Sequence, residues 1–307
     1  MAPEPVLALV GPTASGKTEA ALALAPRLGA EICSIDSMLV YRDLDIGTAK
    51  PTPLERARVP HHLIDVASPS ERFTVARFQE LGRRALAEIR ARGARALLVG
   101  GSGLYFRALV DDLRFPGEDP EVRRSLEVEA SVLGPAALHR RLAGVDPRAA
   151  ERIEVANVRR TVRALEVAAV TGRPFSAHAA GWERFDPERV RAAGIRPDPE
   201  ALRRRVRARV RSMLEAGWLE EVERLVAAGL GGWLTSVQAI GYAELAAHLA
   251  GRLSLEAAVE ATVRRTDELV RRQLVWFRRD PRIRWFDVGD RGALEAVDEV
   301  AAYLGAA

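Results

Sequence analysis

The sequence predicts an α/β protein, a parallel sheet flanked by helices and interrupted by an inserted all-helical domain. Three observations carry that expectation. Strand and helix signals alternate through the first third of the chain, the pattern of a parallel sheet with crossover helices. The first strand runs directly into G-x-x-x-x-G-K-[ST], Gly11 to Thr18 of VLALVGPTASGKTEAALALA, and then into a helix. From Phe115-Pro116-Gly117 to about Pro199 the alternation stops, leaving helices and breakers with no convincing strand. The expected organisation is a P-loop NTPase-like core beginning over residues 1–113, a helical insertion over 114–197, and a mostly helical remainder of the core over 198–307.

The elements follow in order. Val6 to Val10 is short and unbrokenly apolar, as a strand buried on both faces should be. An alanine-rich helix runs from Lys17 to Leu28, and a second apolar run, Ile32 to Asp36, ends in SID. His62 to Val66 reads as another strand. A long amphipathic helix from about Thr74 to Arg92 is stopped by Gly93. Ala96 to Val99 is the next strand, breaking at GGSG (Gly100 to Gly103) before a further helix. Within the insertion, Asp119-Pro120-Glu121 starts a helix with a capping Asp, Pro at the first position and an acid in the first turn. A second helix spans Asn157 to Val170 and ends at Gly172. Beyond the proline-punctuated IRPDPE the chain is helical until a strand-like RIRWFDV and a final helix. Such a sheet binds ligands at the carboxyl ends of its strands.

Bulk properties narrow the class. Of 307 residues, 48% are hydrophobic and 29% charged, and no apolar run approaches the roughly 20 residues of a membrane span. The N-terminus lacks a signal-like pattern, so a cytoplasmic protein is expected. A lone Cys33 excludes an internal disulfide and a multi-cysteine zinc finger. The net charge is +4, yet the 46 basic residues include only two lysines. Lys17 lies in the phosphate loop, where a compact ammonium suits better than a planar guanidinium. Lys50 sits in the turn-rich DIGTAKP with no evident packing role.

The loop has its proper context, strand before and helix after. Its amides would surround an anion, Lys17 would neutralise it, and the Thr18 hydroxyl would ligate Mg²⁺. The motif does not name the anion: a nucleoside triphosphate or any other compound ending in a diphosphate would fit. Asp36 ends the strand expected beside the loop, where a carboxylate serves as general base, holds metal through water, positions a nucleophile, or merely caps a turn. A kinase or ATPase would also need an acid ending a hydrophobic strand; LLVGG offers none and LID offers only Asp65.

Arginine placement raises further alternatives. In LRRRVRARVRSML, Leu202, Val206, Val210 and Met213 form an apolar stripe from which Arg203, Arg204, Arg207 and Arg211 point away. Arg209 falls within the stripe and Arg205 at its edge, so each needs an anion, either a diphosphate or an internal carboxylate. In the helix from Asn157, Val158, Val162, Leu165 and Ala169 oppose Arg159, Arg160 and Arg163. That face is either solvated charge, with Glu166 pairing Arg163, or a surface tracking a polyanion. RRQLVWFRRDPRIRW (Arg271 to Trp285) interleaves arginines with Trp276, Phe277 and Trp285, which suits RNA but equally suits core aromatics beside solvated arginines. His61-His62 reads as a strand edge in preference to a metal pair.

Taken together these segments resemble the tRNA dimethylallyltransferase family, the isopentenyl-tRNA transferases. The resemblance rests on GPTASGKT (Gly11–Thr18), SIDSMLVYRDLDIGTAKP (Ser34–Pro51), LLVGGSGLY (Leu97–Tyr105), RRTVRALEV (Arg159–Val167), AIGYAEL (Ala239–Leu245) and RRQLVWFR (Arg271–Arg278), in family order along the whole chain. It implies that the loop holds the diphosphate of dimethylallyl diphosphate, with Mg²⁺ as cofactor at Thr18. The prenyl group would pass to N6 of the adenosine at tRNA position 37, in the anticodon stem-loop. Gly11, Pro12, Thr13, Ala14, Ser15, Gly16, Lys17, Thr18 and Arg209 would bind the diphosphate. Lys17, Thr18 and Arg209 would also take up leaving-group charge, while Asp36 orients the amine and accepts its proton. The tRNA would meet Asp36, Ser37, Met38, Leu39, Ser102, Gln238, Arg271, Arg272, Gln273 and Arg278, with Arg123, Arg159, Arg160 and Arg163 of the insertion gripping the anticodon arm. A monomer, free of membrane, is expected. Prenyl transfer to free adenine nucleotides and a P-loop kinase or ATP-dependent RNA-binding protein are the competing readings; the long insertion and basic C-terminal third favour RNA.

The chain departs from the family pattern at three places. Ser102 stands where threonine is usual, and Ala156-Asn157 where Asn-Asp precedes the double arginine. Thr266-Asp267-Glu268-Leu269-Val270 replaces T-R-x-Y-A, removing a basic and an aromatic contact.

Overall fold

A computed structural model of the chain describes residues 4–111, 113–233 and 235–305, so the expected outer limits 1 and 307 lie outside the described residues. The chain divides into two compact units, Met1–Asp111 with Phe185–Ala307, and Asp112–Arg184. Among the described residues no helix is long and apolar enough to cross a membrane.

In chain order the larger unit begins with β1 (Val6–Val10), α1 (Lys17–Arg27), β2 (Ala30–Ser34), α2 (Pro53–Arg58), β3 (His61–His62), α3 (Val75–Ala91), β4 (Arg95–Gly100) and α4 (Gly103–Val110). The smaller unit holds α5 (Pro120–Leu133), α6 (Pro135–Val145), α7 (Pro147–Arg152) and α8 (Val158–Thr171). The larger unit resumes with β5 (Val190–Pro197), α9 (Pro199–Glu215), α10 (Trp218–Ala227), α11 (Tyr242–Leu249), α12 (Leu255–Arg278), β6 (Ile283–Val288) and α13 (Val297–Leu304).

The six strands form one parallel sheet in the order β3-β2-β4-β1-β5-β6. β1 lies inside the sheet, which is why its run is apolar without alternation: Leu7, Ala8, Leu9 and Val10 are all buried. Helix α1 packs Ala20, Ala21, Leu24 and Ala25 on one face of the sheet with Val300, Ala301 and Leu304 of α13. The P-loop follows β1, Asp36 follows β2 and the GGSG turn follows β4, so all three meet at one carboxyl edge.

Two expectations change. The stretch from Phe115 to Pro199 contains a strand, β5, paired with β1 on one side and β6 on the other. Its sequence VRAAGIRP hides it, since Ala and Gly are poor strand formers and the run ends in proline. Gly194 is required there by packing: a Cβ would lie 2.5 Å from Ile283 and 2.8 Å from Trp285 on β6. Residues 190–197, expected within the insertion, therefore belong to the sheet. The strand expected from His62 to Val66 stops at His62, because Leu63 (φ 66°) and Asp65 (φ 58°) adopt left-handed backbone that cannot continue a ladder. His61 and His62 form the sheet's edge.

In the smaller unit, α5, α6 and α7 each start with proline at the first position, and Asp119 and Asp146 cap α5 and α7. Asn157 caps α8 through the Arg160 amide, and Gly172 ends it in left-handed backbone. The core joins Leu126, Ala130, Leu138, Leu142, Ile153, Val162 and Leu165.

Candidate active site

At the carboxyl edge a cavity of about 540 Å³ is lined by Thr13 to Glu19, Ser34, Asp36, Leu39, Thr48 to Pro51, Gly100, Gly101, Arg205, Arg209 and Gln273. The P-loop is its floor. Gly11 (φ 152°) has no room for a side chain, since a Cβ would come within 2.9 Å of the Ile195 carbonyl on β5. Ala14 (φ 61°) and Gly16 (φ 84°) take left-handed backbone, the alternation that turns successive amides toward one anion. The first amides of α1 have no intrahelical acceptor and remain available to that anion.

The loop's outward groups are held by distant parts of the chain. Arg205 Nε donates to the Ala14 carbonyl (2.8 Å), and the Ala293 amide donates to the Ser15 carbonyl (2.8 Å). The Thr13 amide donates to Gln273 Oε1 (2.8 Å). Arg205 thus braces the loop and also donates to the Asp290 carbonyl (2.9 Å), which answers its expected need for a partner without a diphosphate.

Among the charged residues lining the cavity, Lys17, Arg209 and Asp36 act on one another. Lys17 Nζ donates to the Pro12 carbonyl and, more weakly, to Ser15 Oγ (3.3 Å). Desolvation, then repulsion from Arg209, pulls its pKa down to about 7 against the opposing pull of Asp36. Arg209 is likewise lowered, by desolvation and by Arg205, with Asp36 opposing. Its guanidinium reaches the Thr48 carbonyl (3.4 Å) and meets no carboxylate directly among the described residues, so two desolvated, mutually repelling cations line the cavity. Asp36 acts electrostatically on both. Its Oδ1 accepts from the Met38 amide (2.8 Å) and the Leu39 amide (3.4 Å), which fixes the turn and leaves Oδ2 without a protein donor among the described residues. Thr18 lies exposed at the cavity in the first turn of α1.

Sequence reasoning passed over the residues that shape the far wall. Glu221 on α10 accepts from the amides of Asp45 (3.0 Å), Ile46 (2.8 Å) and Gly47 (3.2 Å) and from Tyr242 Oη (2.6 Å). A carboxylate among the buried Trp218, Val222 and Leu225 of α10 was the available signal. Gly47 is needed because a Cβ would lie 2.0 Å from the Trp218 indole nitrogen. Lys50 is buried and donates to the Tyr41 carbonyl (2.7 Å), Asp45 (2.5 Å) and Asp65 (2.6 Å), so DIGTAKP is a loop tied at both ends. Asp65 also takes Arg56 (2.7 Å) and is thereby committed to structure, which removes the acid a kinase reading required.

The residues expected to meet RNA fall into distinct groups. Ser37, Met38 and Leu39 follow Asp36 as partly exposed residues. Ser102 caps α4 by accepting from the Tyr105 amide (3.3 Å), a role serine fills as well as threonine. Gln238, Arg271, Arg272 and Arg278 are exposed, whereas Gln273 is buried against the P-loop. Trp276 is 40% exposed while Phe277 is core, so the arginine-aromatic stretch is split between surface and interior. Within the smaller unit Arg159 and Arg160 are exposed. Arg123 (2.5 Å) and Arg163 (2.7 Å) instead converge on the fully buried Glu166, and Arg163 adds the Pro116 and Gly117 carbonyls. The internal partner considered for Arg163 is present, and Arg123 shares it.

A family model described as IPP transferase matches residues 39–280. A tRNA dimethylallyltransferase of Nocardioides sp. is 52% identical over 98% of this chain and 97% of its own length. One of Moorella thermoacetica is 47% identical over 98% and 94%. Among solved structures, the tRNA isopentenylpyrophosphate transferase of Bacillus halodurans superposes with a TM-score of 0.71 at 39% identity, covering 98% of this chain and 96% of that one. A eukaryotic dimethylallyltransferase described as acting on tRNA gives a TM-score of 0.79 at 25% identity, covering 98% and 77%.

Proposed function

The chain belongs to the IPP transferase family, and from that premise we propose that it transfers the dimethylallyl group of dimethylallyl diphosphate to N6 of the adenosine at tRNA position 37. One observation carries the chemistry: a single cavity unites an anion-binding loop, two desolvated cations that meet no carboxylate directly among the described residues, and the Asp36 carboxylate, whose Oδ2 has no protein donor among them. The cations and loop amides suit a diphosphate, and Asp36 suits an amine.

The reaction exchanges one bond for another. The N6 lone pair forms a bond to the allylic carbon, the carbon–oxygen bond to diphosphate breaks, and the amine proton passes to Asp36. Lys17, Arg209 and the amides at the start of α1 stabilise charge that grows on the departing oxygen. Asp36, fixed by the Met38 amide, orients the amine; for so poor a nucleophile alignment contributes more than base strength. The Thr18 hydroxyl, exposed at the cavity in the first turn of α1, fits a Mg²⁺ and would hold it together with the substrate's own phosphate oxygens. Bound there it supplies Lewis-acid neutralisation of the leaving group. The adenine leaves the anticodon-loop stack to reach the cavity, and the exposed Arg159 and Arg160, with Arg271, Arg272 and Arg278, contribute phosphate contacts. The protein works in the cytoplasm.

The test uses labelled dimethylallyl diphosphate, Mg²⁺ and either an anticodon stem-loop or AMP. Label in the stem-loop supports the proposal. Label in AMP alone would replace it with free-nucleotide prenylation, and ATP turnover without transfer would discard both.

A further inference from the structure

Gln273 sits on the helix whose neighbouring arginines belong to the proposed RNA face, yet its side chain does something different. It is buried, lines the cavity, and accepts from the Thr13 amide at 2.8 Å. Thr13 N–H can only donate, so the amide oxygen must face it and the NH₂ group must face the other way. That other side is Gly101, in the turn after β4. A Cβ on Gly101 would lie 2.1 Å from Gln273 Nε2 and 3.0 Å from its carboxamide carbon. The glycine is therefore a seat for the glutamine head group. β1 and β4 are hydrogen-bonded neighbours, so the loops leaving them, the P-loop and the GGSG turn, flank the cavity side by side. Gln273 occupies the join between them.

We infer that Gln273 is a positioning residue for the diphosphate: with Gly101 it forms an interlock that sets the P-loop's anion-binding shape, and it does not serve as an RNA contact. The inference deepens the proposed function and rests on it for the identity of the anion. The loop's other braces hold carbonyls, those of Ala14 and Ser15. Among the described residues Gln273 is the brace on a loop amide, and removing it leaves the Thr13 N–H without its acceptor and the adjoining peptide free to rotate. Anion affinity depends on those peptides facing inward together. Substituting alanine for Gly101 pushes the carboxamide off its seat and breaks the same bond from the other side.

A double-mutant cycle in the full-length protein tests this, using Gln273→Met, Gly101→Ala and the pair. The readouts are affinity for inorganic pyrophosphate by calorimetry, affinity for an anticodon stem-loop, and KM and kcat with dimethylallyl diphosphate. Each single substitution should raise the pyrophosphate Kd and the diphosphate KM about tenfold, with stem-loop affinity within about twofold of wild type. The pair should be no worse than the poorer single, because both changes break one interlock. Gln273→Glu keeps an oxygen acceptor and should preserve hydrogen-exchange protection of the Thr13 amide, which Gln273→Met should lose. Weaker stem-loop binding with unchanged pyrophosphate affinity would make Gln273 an RNA contact, and additive losses in the pair would dissolve the interlock; either overturns the inference. Pyrophosphate binding requires no prenyl transfer, so a wild-type protein that shows the cycle but labels no acceptor would remove the proposed reaction and leave the interlock standing.

Discussion

Lys17 carries the site's clearest pH signature. In the free protein its pKa sits near 7 because desolvation and Arg209 disfavour the charged form more than Asp36 favours it. A bound diphosphate reverses that balance and raises the pKa, so binding above pH 7 must draw in a proton. Diphosphate affinity should therefore decline as pH rises above 7, by up to about tenfold per unit until the bound form itself titrates. Calorimetry at pH 8 in two buffers of different ionisation enthalpy should report uptake approaching one proton, abolished in Lys17→Met; buffer-independent heats would remove Lys17 from the anion site. The folding linkage has the matching sign. Desolvating the charged lysine costs stability fully below about pH 7, and the cost fades as pH rises toward the ordinary value of 10.5. Asp36 tests a different step. Asp36→Ala should reduce single-turnover transfer by about 10²–10⁴-fold while stem-loop and pyrophosphate affinities stay within severalfold, and undiminished turnover would end its assignment as the proton acceptor. Both residues were legible in the sequence because their context is local: strand, turn and helix lie within a few residues of each. Gln273 was read only as part of an arginine-rich RNA segment, since its partners Thr13 and Gly101 lie far away in the chain.

At the level of elements, α8 separates two kinds of arginine that look alike in sequence. Arg163 and, from α5, Arg123 are consumed by the fully buried Glu166, whose pKa is held down by both arginines despite the larger opposing effect of burial. Glu166→Gln should destabilise the protein by about 3 kcal/mol, the range seen when one partner of a buried pair is removed; chemical denaturation measures it, and a negligible loss would mean that the cluster is only a solvated face. Arg160 is exposed on the same helix. Arg160→Ala should leave the denaturation midpoint unchanged and lower the salt dependence of stem-loop binding by about one unit of log–log slope. An unaltered slope would take Arg160 off the RNA. The elements most easily read were those with local punctuation, such as the caps Asp119 and Asn157 and the terminator Gly93. β5 and the DIGTAKP wall were not, because the first is a strand by virtue of its neighbours β1 and β6. The second is shaped by Glu221 and the bonds of Lys50, contacts that no periodicity announces.

For the whole molecule the decisive region is where the chain leaves the sheet-bearing unit at Asp111 and re-enters it at Phe185. Arg282, with its side chain buried, donates to Asp111 at 2.8 Å and to Asp280 at 2.7 Å, and Arg107 also bonds Asp111. The same two guanidiniums lie over the Phe185 ring, 4.3 Å from its centroid for Arg107 and 5.4 Å for Arg282. Exit and return are thus fastened at one place by groups that all belong to the larger unit. Breaking that fastening should be costly: Arg282→Ala strands the buried Asp280, leaves Asp111 with Arg107 alone, and should remove about 3–5 kcal/mol of stability. Respecting it should make the inserted unit dispensable for folding. Replacing residues 113–184 by a short Gly/Ser linker should leave a cooperatively melting protein with pyrophosphate affinity within about threefold of wild type, because the cavity is lined by the larger unit alone. Stem-loop affinity should fall by at least about a hundredfold as the phosphate contacts of the helical unit disappear. Undiminished stem-loop binding in that variant would show that the tRNA is held by the sheet-bearing unit, and would assign the insertion's arginines to its own stability.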